Sequence, residues 1–303
     1  MKSSASVPKS FALGIFAKTF SRPNVAGIFS AIATHELRTV QFNFSCCGLP
    51  TLPEQIAPEI LAELQKEQHR CQLQFAAVSA TFNLIHPDEN VRRHGLERLP
   101  ILAAAACSLG CPLLTLCTGT LDPEDMWRAH RDNASPQAWR ELRLGIDTAL
   151  ESTASSGVHL GIEPETGNVI DSAKRCRRLL DEVGSPRLKV VLDPANLLDP
   201  GDPGRQRELL DEAFDLLGDS LALAHAKELA PDWMPDGRGP GRGILDWGYY
   251  LDRLWRTGFT GSLILHGLRE AEVGAALRFL SVLIQNSDRD RDSPEKGPLQ
   301  ATL

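Results

Sequence analysis

The sequence predicts an α/β protein that folds as a single (β/α)8 barrel, a TIM barrel, over residues 1–285. Three observations favour this fold. Short apolar runs of strand length alternate with longer helical segments, which is typical of a parallel sheet. Eight such pairs follow one another, and eight units commonly form one domain of about 250 residues. An open doubly wound sheet would instead require a glycine-rich phosphate-binding turn after the first strand, and the segment GIFAKTF has none.

The first four strand–helix units are predicted from apolar patterns. TVQFNF alternates apolar and polar side chains, as a half-buried strand does, whereas PLLTLC is a short continuous apolar run. Pro136 stands at the first turn of the fourth helix, where proline is favoured. In chain order, the predicted strands are residues 11–17, 39–44, 75–82 and 112–117, and the predicted helices are residues 24–35, 54–70, 91–109 and 135–156.

The last four units follow the same alternation. Pro194 cannot donate to a sheet ladder, so the strand that contains VVL ends near Asp193. The glycine-rich run at residues 237–243 has no strand before it and is interpreted as a loop after strand seven. Residues 286–303 are charged, lack apolar periodicity and are predicted to form a disordered tail. The predicted strands are residues 158–162, 188–192, 221–224 and 262–265, and the predicted helices are residues 171–183, 206–217, 246–256 and 271–284.

Composition excludes several classes of protein. A net charge of −7 argues against sequence-independent binding of nucleic acid, which depends on Lys and Arg contacts with phosphates. No apolar run approaches the ~20 residues that span a membrane, and the first residues do not form a signal peptide. The seven cysteines form no CxxC pair, which favours free thiols in a reducing compartment. We therefore expect a cytoplasmic protein, and the sequence leaves open whether it forms a homo-oligomer.

Polar residues end four consecutive predicted strands. Strand five ends in Glu163, strand six in Asp193, strand seven in His225 and strand eight in His266. The active site of such a barrel lies at the C-terminal ends of the strands, and neighbouring strands lie ~5 Å apart. The four side chains can therefore converge on one divalent ion, for which Mn²⁺, Co²⁺, Zn²⁺ and Mg²⁺ remain open. Taken alone, each residue also has a structural explanation, and Asp193 alone is better explained as a helix cap or a turn aspartate.

Further polar residues follow these strands and the third strand. Glu165 and Lys227 each lie two residues beyond a strand end and are candidate proton-transfer groups. Asn83 and His86 occur in TFNLIHPD after strand three, and Asn196 follows Asp193. These three are candidate contacts for the substrate.

Four motifs make the sequence resemble the sugar phosphate isomerase/epimerase superfamily of xylose isomerase-like TIM barrels. They are GIEPE at residues 161–165, VVLDPAN at residues 190–196, HAKE at residues 225–228 and a G-x-G-x-x-D-W run at residues 241–247. The resemblance implies one divalent ion bound by a Glu, an Asp, a His and a second Glu. Glu163, Asp193 and His225 match three of these ligands, whereas His266 replaces the second Glu and Glu228 replaces an Asp.

This resemblance implies an isomerase or epimerase that acts on a small sugar-like hydroxy-carbonyl compound by proton transfer through an enediolate. Glu163 or Glu165 is the expected base, and Lys227 is expected to protonate or bind the substrate oxygen. Because the second metal-bound Glu is missing, a two-glutamate mechanism is in question. A metal-dependent dehydratase of a keto-polyol would use the same groups. The sequence also leaves open a multi-zinc phosphodiesterase like the apurinic endonucleases and a barrel that binds without catalysis.

Overall fold

The protein is a closed barrel of eight parallel strands. The computed structural model describes residues 11–198, 203–231 and 237–292. Each strand pairs with the next along the chain, and the last pairs with the first, so the predicted (β/α)8 fold is confirmed. The strands are β1 (Ala12–Phe16), β2 (Thr39–Phe42), β3 (Gln74–Ser79), β4 (Leu113–Cys117), β5 (His159–Glu163), β6 (Leu188–Leu192), β7 (Leu221–Ala226) and β8 (Ser262–Leu265).

Helices surround the barrel, and several begin where the sequence provides a capping group. The side chain of Asn24 accepts a hydrogen bond from the backbone of Gly27, and Ser135 caps a helix that has proline at its first turn. The helices of the described residues are α1 (Val25–Thr34), α2 (Pro58–Cys71), α3 (Glu89–Ser108), α4 (Pro136–Ser152), α5 (Ala173–Val183), α6 (Pro194–Leu197), α7 (Gln206–Leu217), α8 (Trp247–Arg256) and α9 (Val273–Asp292). None of the helices so described is long and apolar enough to cross a membrane.

The strands bury one set of side chains against the helices and the other set inside the barrel. The interior contains a separate apolar cluster formed by Ala77, Leu113, Val191, Leu223 and Ile264. Because side chains along a strand alternate between faces, the residue two positions further along also points inward. This alternation places polar side chains above the apolar cluster, namely Ser79, Thr115, Asp193, His225 and His266.

Two helices differ from the sequence prediction. The short helix α6 follows directly after β6 and was not predicted, because four residues are too few to show a helical period. Helix α9 runs to Asp292, past its predicted end at residue 284. Apolar periodicity detects only the part of a helix that packs on a core, so a polar extension leaves no such pattern. Residues 293–303 of the predicted tail lie outside the described residues, and the tail remains a prediction.

Candidate active site

A cavity of about 470 Å³ opens at the C-terminal end of the barrel. It has the size of a small-molecule site. Side chains from β1 to β5 and from β7 contribute, together with residues that follow the strand ends. The cavity is lined by Phe16, Lys18, Gln41, Asn43, Thr51, Ser79, Thr81, Thr115, Leu116, Cys117, Met126, Trp127, Glu163, Glu165, Asn196, His225, Lys227 and His266.

Three neighbouring residues at this end of the barrel each have a buried polar atom without a hydrogen-bond partner among the described residues. These atoms are Oδ2 of Asp193, Nδ1 of His225 and Nδ1 of His266. Each of these residues offers a ligand atom, and the ligand atoms all lie within 4.8 Å of one another. Buried polar atoms without partners are rare and costly in proteins. One oxygen and two imidazole nitrogens are suitable ligands for a divalent transition metal.

Glu163 completes the cluster from the neighbouring strand. Its Oε1 lies 3.5 Å from Nδ1 of His225, and Oδ2 of Asp193 lies at the same distance from that nitrogen. Burial opposes the charged imidazole, but the carboxylates of Glu163 and Asp193 outweigh it and raise the pKa of His225 to about 9. The two carboxylates therefore create an environment that favours a positive charge near Nδ1.

The two carboxylate oxygens of Asp193 have different surroundings. Its Oδ1 accepts a hydrogen bond of 2.9 Å from the backbone N–H of Ala195 and so caps α6, while its Oδ2 faces His225. The residue is fully buried. Burial alone would raise the pKa of Asp193, but the charge of Lys227 and the nearby His225 lower it to about 2. Oδ1 of Asp193 is therefore occupied by the helix cap, whereas Oδ2 has no hydrogen-bond partner among the described residues.

Asn196 connects the acidic and basic groups of the cavity. Its Nδ2 donates to Oε1 of Glu163 at 2.6 Å, and its Oδ1 accepts from Nζ of Lys227 at 2.6 Å. Burial opposes the charge of Lys227, yet the nearby Asp193, Glu163 and Glu165 raise the pKa of the lysine. Lys227 is therefore held as a cation, aimed into the site by the amide of Asn196.

Glu165 lines the same cavity from the loop after β5. Burial and the negative charge of Glu163 raise the pKa of Glu165 to about 8. A carboxyl group with this environment can exchange a proton near neutral pH.

His266 is held between two rings. It stacks on Phe16 with ring centroids 5.1 Å apart and on His225 with centroids 4.7 Å apart. Burial and the neighbouring His225 lower the pKa of His266 to about 3, so this imidazole is neutral. The planes of the two histidines are only 17° apart.

Two predicted substrate contacts do not line the cavity. The side chain of Asn83 is buried, donates to the carbonyl of Thr120 at 2.7 Å and accepts from the backbone of Thr120 and Ile85. The ring of His86 contacts the carbonyl of Pro123 through Nε2 and accepts from the backbone of Asp88 through Nδ1. Both residues therefore stabilise the loops after β3 and β4. The third predicted contact, Asn196, does line the cavity.

The structure adds residues that the sequence analysis missed. Gln41, Ser79 and Thr115 project inward from β2, β3 and β4, and the alternation of each strand could have indicated them. Met126 and Trp127 reach the cavity from the loop after β4, which no local pattern indicates. Asn168 holds this loop in place, because its Nδ2 donates to the carbonyl of Met126 and its Oδ1 accepts from the backbone of Gly119.

Comparisons with known proteins agree with this architecture. The family model described as xylose isomerase-like TIM barrel matches residues 29–282. A search of curated proteins gave no match. The structure of L-ribulose 3-epimerase is similar, with a TM-score of 0.72 and 15% identity over 95% of this chain and 100% of that chain.

Two further solved structures share the fold. A D-tagatose 3-epimerase-like protein has a TM-score of 0.72 and 14% identity, over 93% of this chain and 100% of its own. A xylose isomerase domain protein from Planctomyces limnophilus has a TM-score of 0.69 and 19% identity, over 91% of this chain and 97% of its own. The match of the family model covers most of the sequence, and on this ground the chain belongs to the xylose isomerase-like TIM barrel family.

Proposed function

We propose that this protein is a divalent-metal-dependent isomerase or epimerase of a small sugar-like hydroxy-carbonyl compound. The observation that carries the proposal is the grouping of Asp193, His225 and His266, whose ligand atoms lie within 4.8 Å of one another and each of which has a buried, unpartnered polar atom. Glu163 and Glu165 line the cavity to which His225 and His266 also belong. The fold is shared with proteins named as sugar 3-epimerases, which supports the same class of substrate here.

Glu163, Asp193 and His225 are the residues that would hold the ion, which the donor set allows to be Mn²⁺, Co²⁺, Zn²⁺ or Mg²⁺. His266 is the fourth candidate ligand, because it offers a ligand atom within 4.8 Å of those of Asp193 and His225. When bound, such an ion acts as a Lewis acid on the carbonyl and hydroxyl oxygens of a substrate, which is worth several kcal/mol of charge stabilisation.

The proton transfer is assigned to residues on one side of the cavity. Among the described residues that line it, the carboxylates come only from β5 and its loop, namely Glu163 and Glu165. Glu163 already accepts a hydrogen bond from Asn196 and faces His225. Glu165 is therefore the better base for removing a proton from the substrate carbon, and Glu163 is the second candidate. A positioned base of this kind contributes ~10²–10⁴-fold to the rate.

Lys227 provides the complementary positive charge. Its ammonium group, fixed by Asn196, can bind or protonate the substrate oxygen as the carbon loses its proton through an enediolate. A base on one side alone suits 1,2-isomerisation better than an epimerisation that uses a base on each face. A dehydratase would use the same groups, and the product distinguishes these outcomes.

Metal content and activity test the proposal together. Elemental analysis of the purified protein should find about one divalent ion per chain, and the ion should be lost in Asp193→Ala and His225→Ala. His69→Ala is the matched control, because His69 is exposed on α2, outside the cavity. A panel of ketoses and aldoses in D₂O should show isomerisation with deuterium at one carbon, and a chelator should abolish it.

Four results would contradict parts of this proposal. Full retention of metal in both site variants would refute the assigned ligands. Turnover that survives complete removal of metal would refute the metal dependence. About three zinc ions per chain would instead favour a phosphodiesterase, whereas metal-dependent binding of a sugar without turnover would favour a binding barrel.

A further inference from the structure

We propose that Gln41 is a positioning residue that fixes the orientation of His225, so that Nδ1 and not Nε2 of this imidazole faces the metal site. This inference rests on the proposed function, because it concerns how the chain prepares a ligand for the ion. Gln41 lies on β2, on the side of the barrel away from β6, and its side chain is only 3% exposed.

The contact that carries the inference joins Oε1 of Gln41 and Nε2 of His225, 2.9 Å apart. A carbonyl oxygen only accepts hydrogen bonds, so this contact requires a hydrogen on Nε2. With that hydrogen on Nε2, a neutral imidazole has its lone pair on Nδ1. This is the nitrogen that lies 3.5 Å from both Glu163 and Asp193 and has no hydrogen-bond partner among the described residues.

The amide of Gln41 also contacts Ser79 on β3. Its Nε2 donates to Oγ of Ser79 at 3.2 Å, while its Oε1 is directed at Nε2 of His225. If the amide turned over, its NH₂ group would face the N–H of an imidazole that binds an ion through Nδ1, and two donors would oppose each other. Two hydrogen bonds therefore connect Ser79 on β3, Gln41 on β2 and His225 on β7.

The stack with His266 explains why a separate positioning group is needed. The parallel rings, with centroids 4.7 Å apart, fix the plane of His225 but not its two possible orientations within that plane. Turning the ring by half a revolution keeps the stack and exchanges nitrogen for carbon on the side of the carboxylates. The hydrogen bond from Nε2 to Gln41 distinguishes these two orientations.

The general behaviour of histidine ligands gives the size of the expected effect. The second nitrogen of a metal-bound histidine usually donates to a carboxylate or carbonyl oxygen, which fixes the tautomer, and loss of that partner typically weakens metal affinity by about 10- to 100-fold. Gln41→Met keeps the length and volume of the side chain but removes the acceptor. Gln41→Glu keeps an acceptor, and the hydroxyl of Ser79 can turn to donate to its other oxygen.

The test is the affinity of the metal-free protein for Zn²⁺, measured by competition with a chelating dye. We expect Gln41→Met to bind zinc about 10- to 100-fold more weakly than the wild type. Gln41→Glu should bind at least as tightly as the wild type. Gln68→Met is the control, because Gln68 lies on α2, away from the cavity, and donates to the backbone of Leu109; its substitution should not change the affinity.

A second measurement identifies the zinc-bound nitrogen. In zinc-loaded protein with ¹⁵N-labelled histidine, the His225 signals should place zinc on Nδ1 and the proton on Nε2. Zinc on Nε2 in the wild type would overturn the inference. So would equal zinc affinities of Gln41→Met and the wild type, or an equal loss in Gln41→Met and Gln41→Glu, which would mean that cavity shape and not the acceptor matters.

These outcomes separate the two proposals. A wild type that does not bind zinc or another divalent ion refutes the proposed function. A wild type that binds zinc while Gln41→Met binds it equally well refutes only the role of Gln41. If Gln41→Met fails to fold, Gln41→Glu still decides, because weakened zinc binding in this folded variant contradicts the inference.

Discussion

Tyr250→Phe tests how the strand ends that carry the site are held. The hydroxyl of Tyr250 donates to the carbonyl of Leu192 at 3.3 Å and to the carbonyl of His225 at 3.2 Å. Leu192 directly precedes Asp193, so one side chain from α8 ties together the ends of β6 and β7. The residue is fully buried, and phenylalanine keeps its ring packing against Phe214 and Trp247. The substitution therefore removes the hydroxyl and little else.

The magnitude follows from the loss of this shared hydrogen bond. A phenol has one hydrogen, so the two contacts count as one bifurcated bond. A typical buried hydrogen bond contributes about 1 kcal/mol, and an acceptor left unpaired in the interior raises the cost to about 1–3 kcal/mol. We expect Tyr250→Phe to lower the free energy of unfolding by an amount in this range.

Urea unfolding followed by circular dichroism measures the change. Tyr249→Phe provides a matched control, because the neighbouring hydroxyl donates to Oδ1 of Asp211 at a half-buried position where water can replace it. The control should lose less stability than Tyr250→Phe. Equal losses in the two variants, or no loss in Tyr250→Phe, would refute the argument that the buried hydroxyl holds the strand ends.

Three further predictions concern the metal site, the buried thiols and helix packing. His225→Ala should weaken zinc binding more than His266→Ala, because only Nδ1 of His225 already faces Glu163 and Asp193; zinc titrations that give the reverse order would contradict the ligand assignment. Burial raises the pKa of Cys111 and Cys176 to about 12, above the unfolded value of about 8.5. Below pH ~8.5 both thiols are protonated in the folded and the unfolded protein, and the stability is at its full value. As the pH rises towards 12, only the unfolded chain loses these protons, so the free energy of unfolding falls. Each thiol adds about 1.4 kcal/mol per pH unit to this loss, and urea unfolding of Cys176→Ala should show a shallower alkaline slope than the wild type; identical slopes would contradict the prediction. Gly95→Ala should destabilise the protein by about 1–3 kcal/mol, since the added methyl group would overlap the ring of Phe82, and an unchanged melting temperature would refute this close packing.

The alternation of apolar and polar residues determined the fold and much of the site. A strand has a period of two residues, so an inward apolar residue such as Val191 predicts that Asp193 also points inward. The same rule applies to Leu223 and His225 and to Ile264 and His266. Since each pair is a local feature of one strand, the sequence alone could predict that these side chains meet at the barrel mouth.

The tertiary structure decided what lies opposite these residues. Asn83 and His86 follow a strand end just as Glu165 does, but their side chains are bonded to the loops after β3 and β4. Gln41 contacts His225 only because the barrel closes and brings β2 close to β7. The stack of His225 on His266 likewise depends on the register of neighbouring strands. The pattern within one strand specifies which face a side chain occupies. Its partner comes from a distant part of the sequence and is brought near only when the barrel closes, so no single strand encodes that contact.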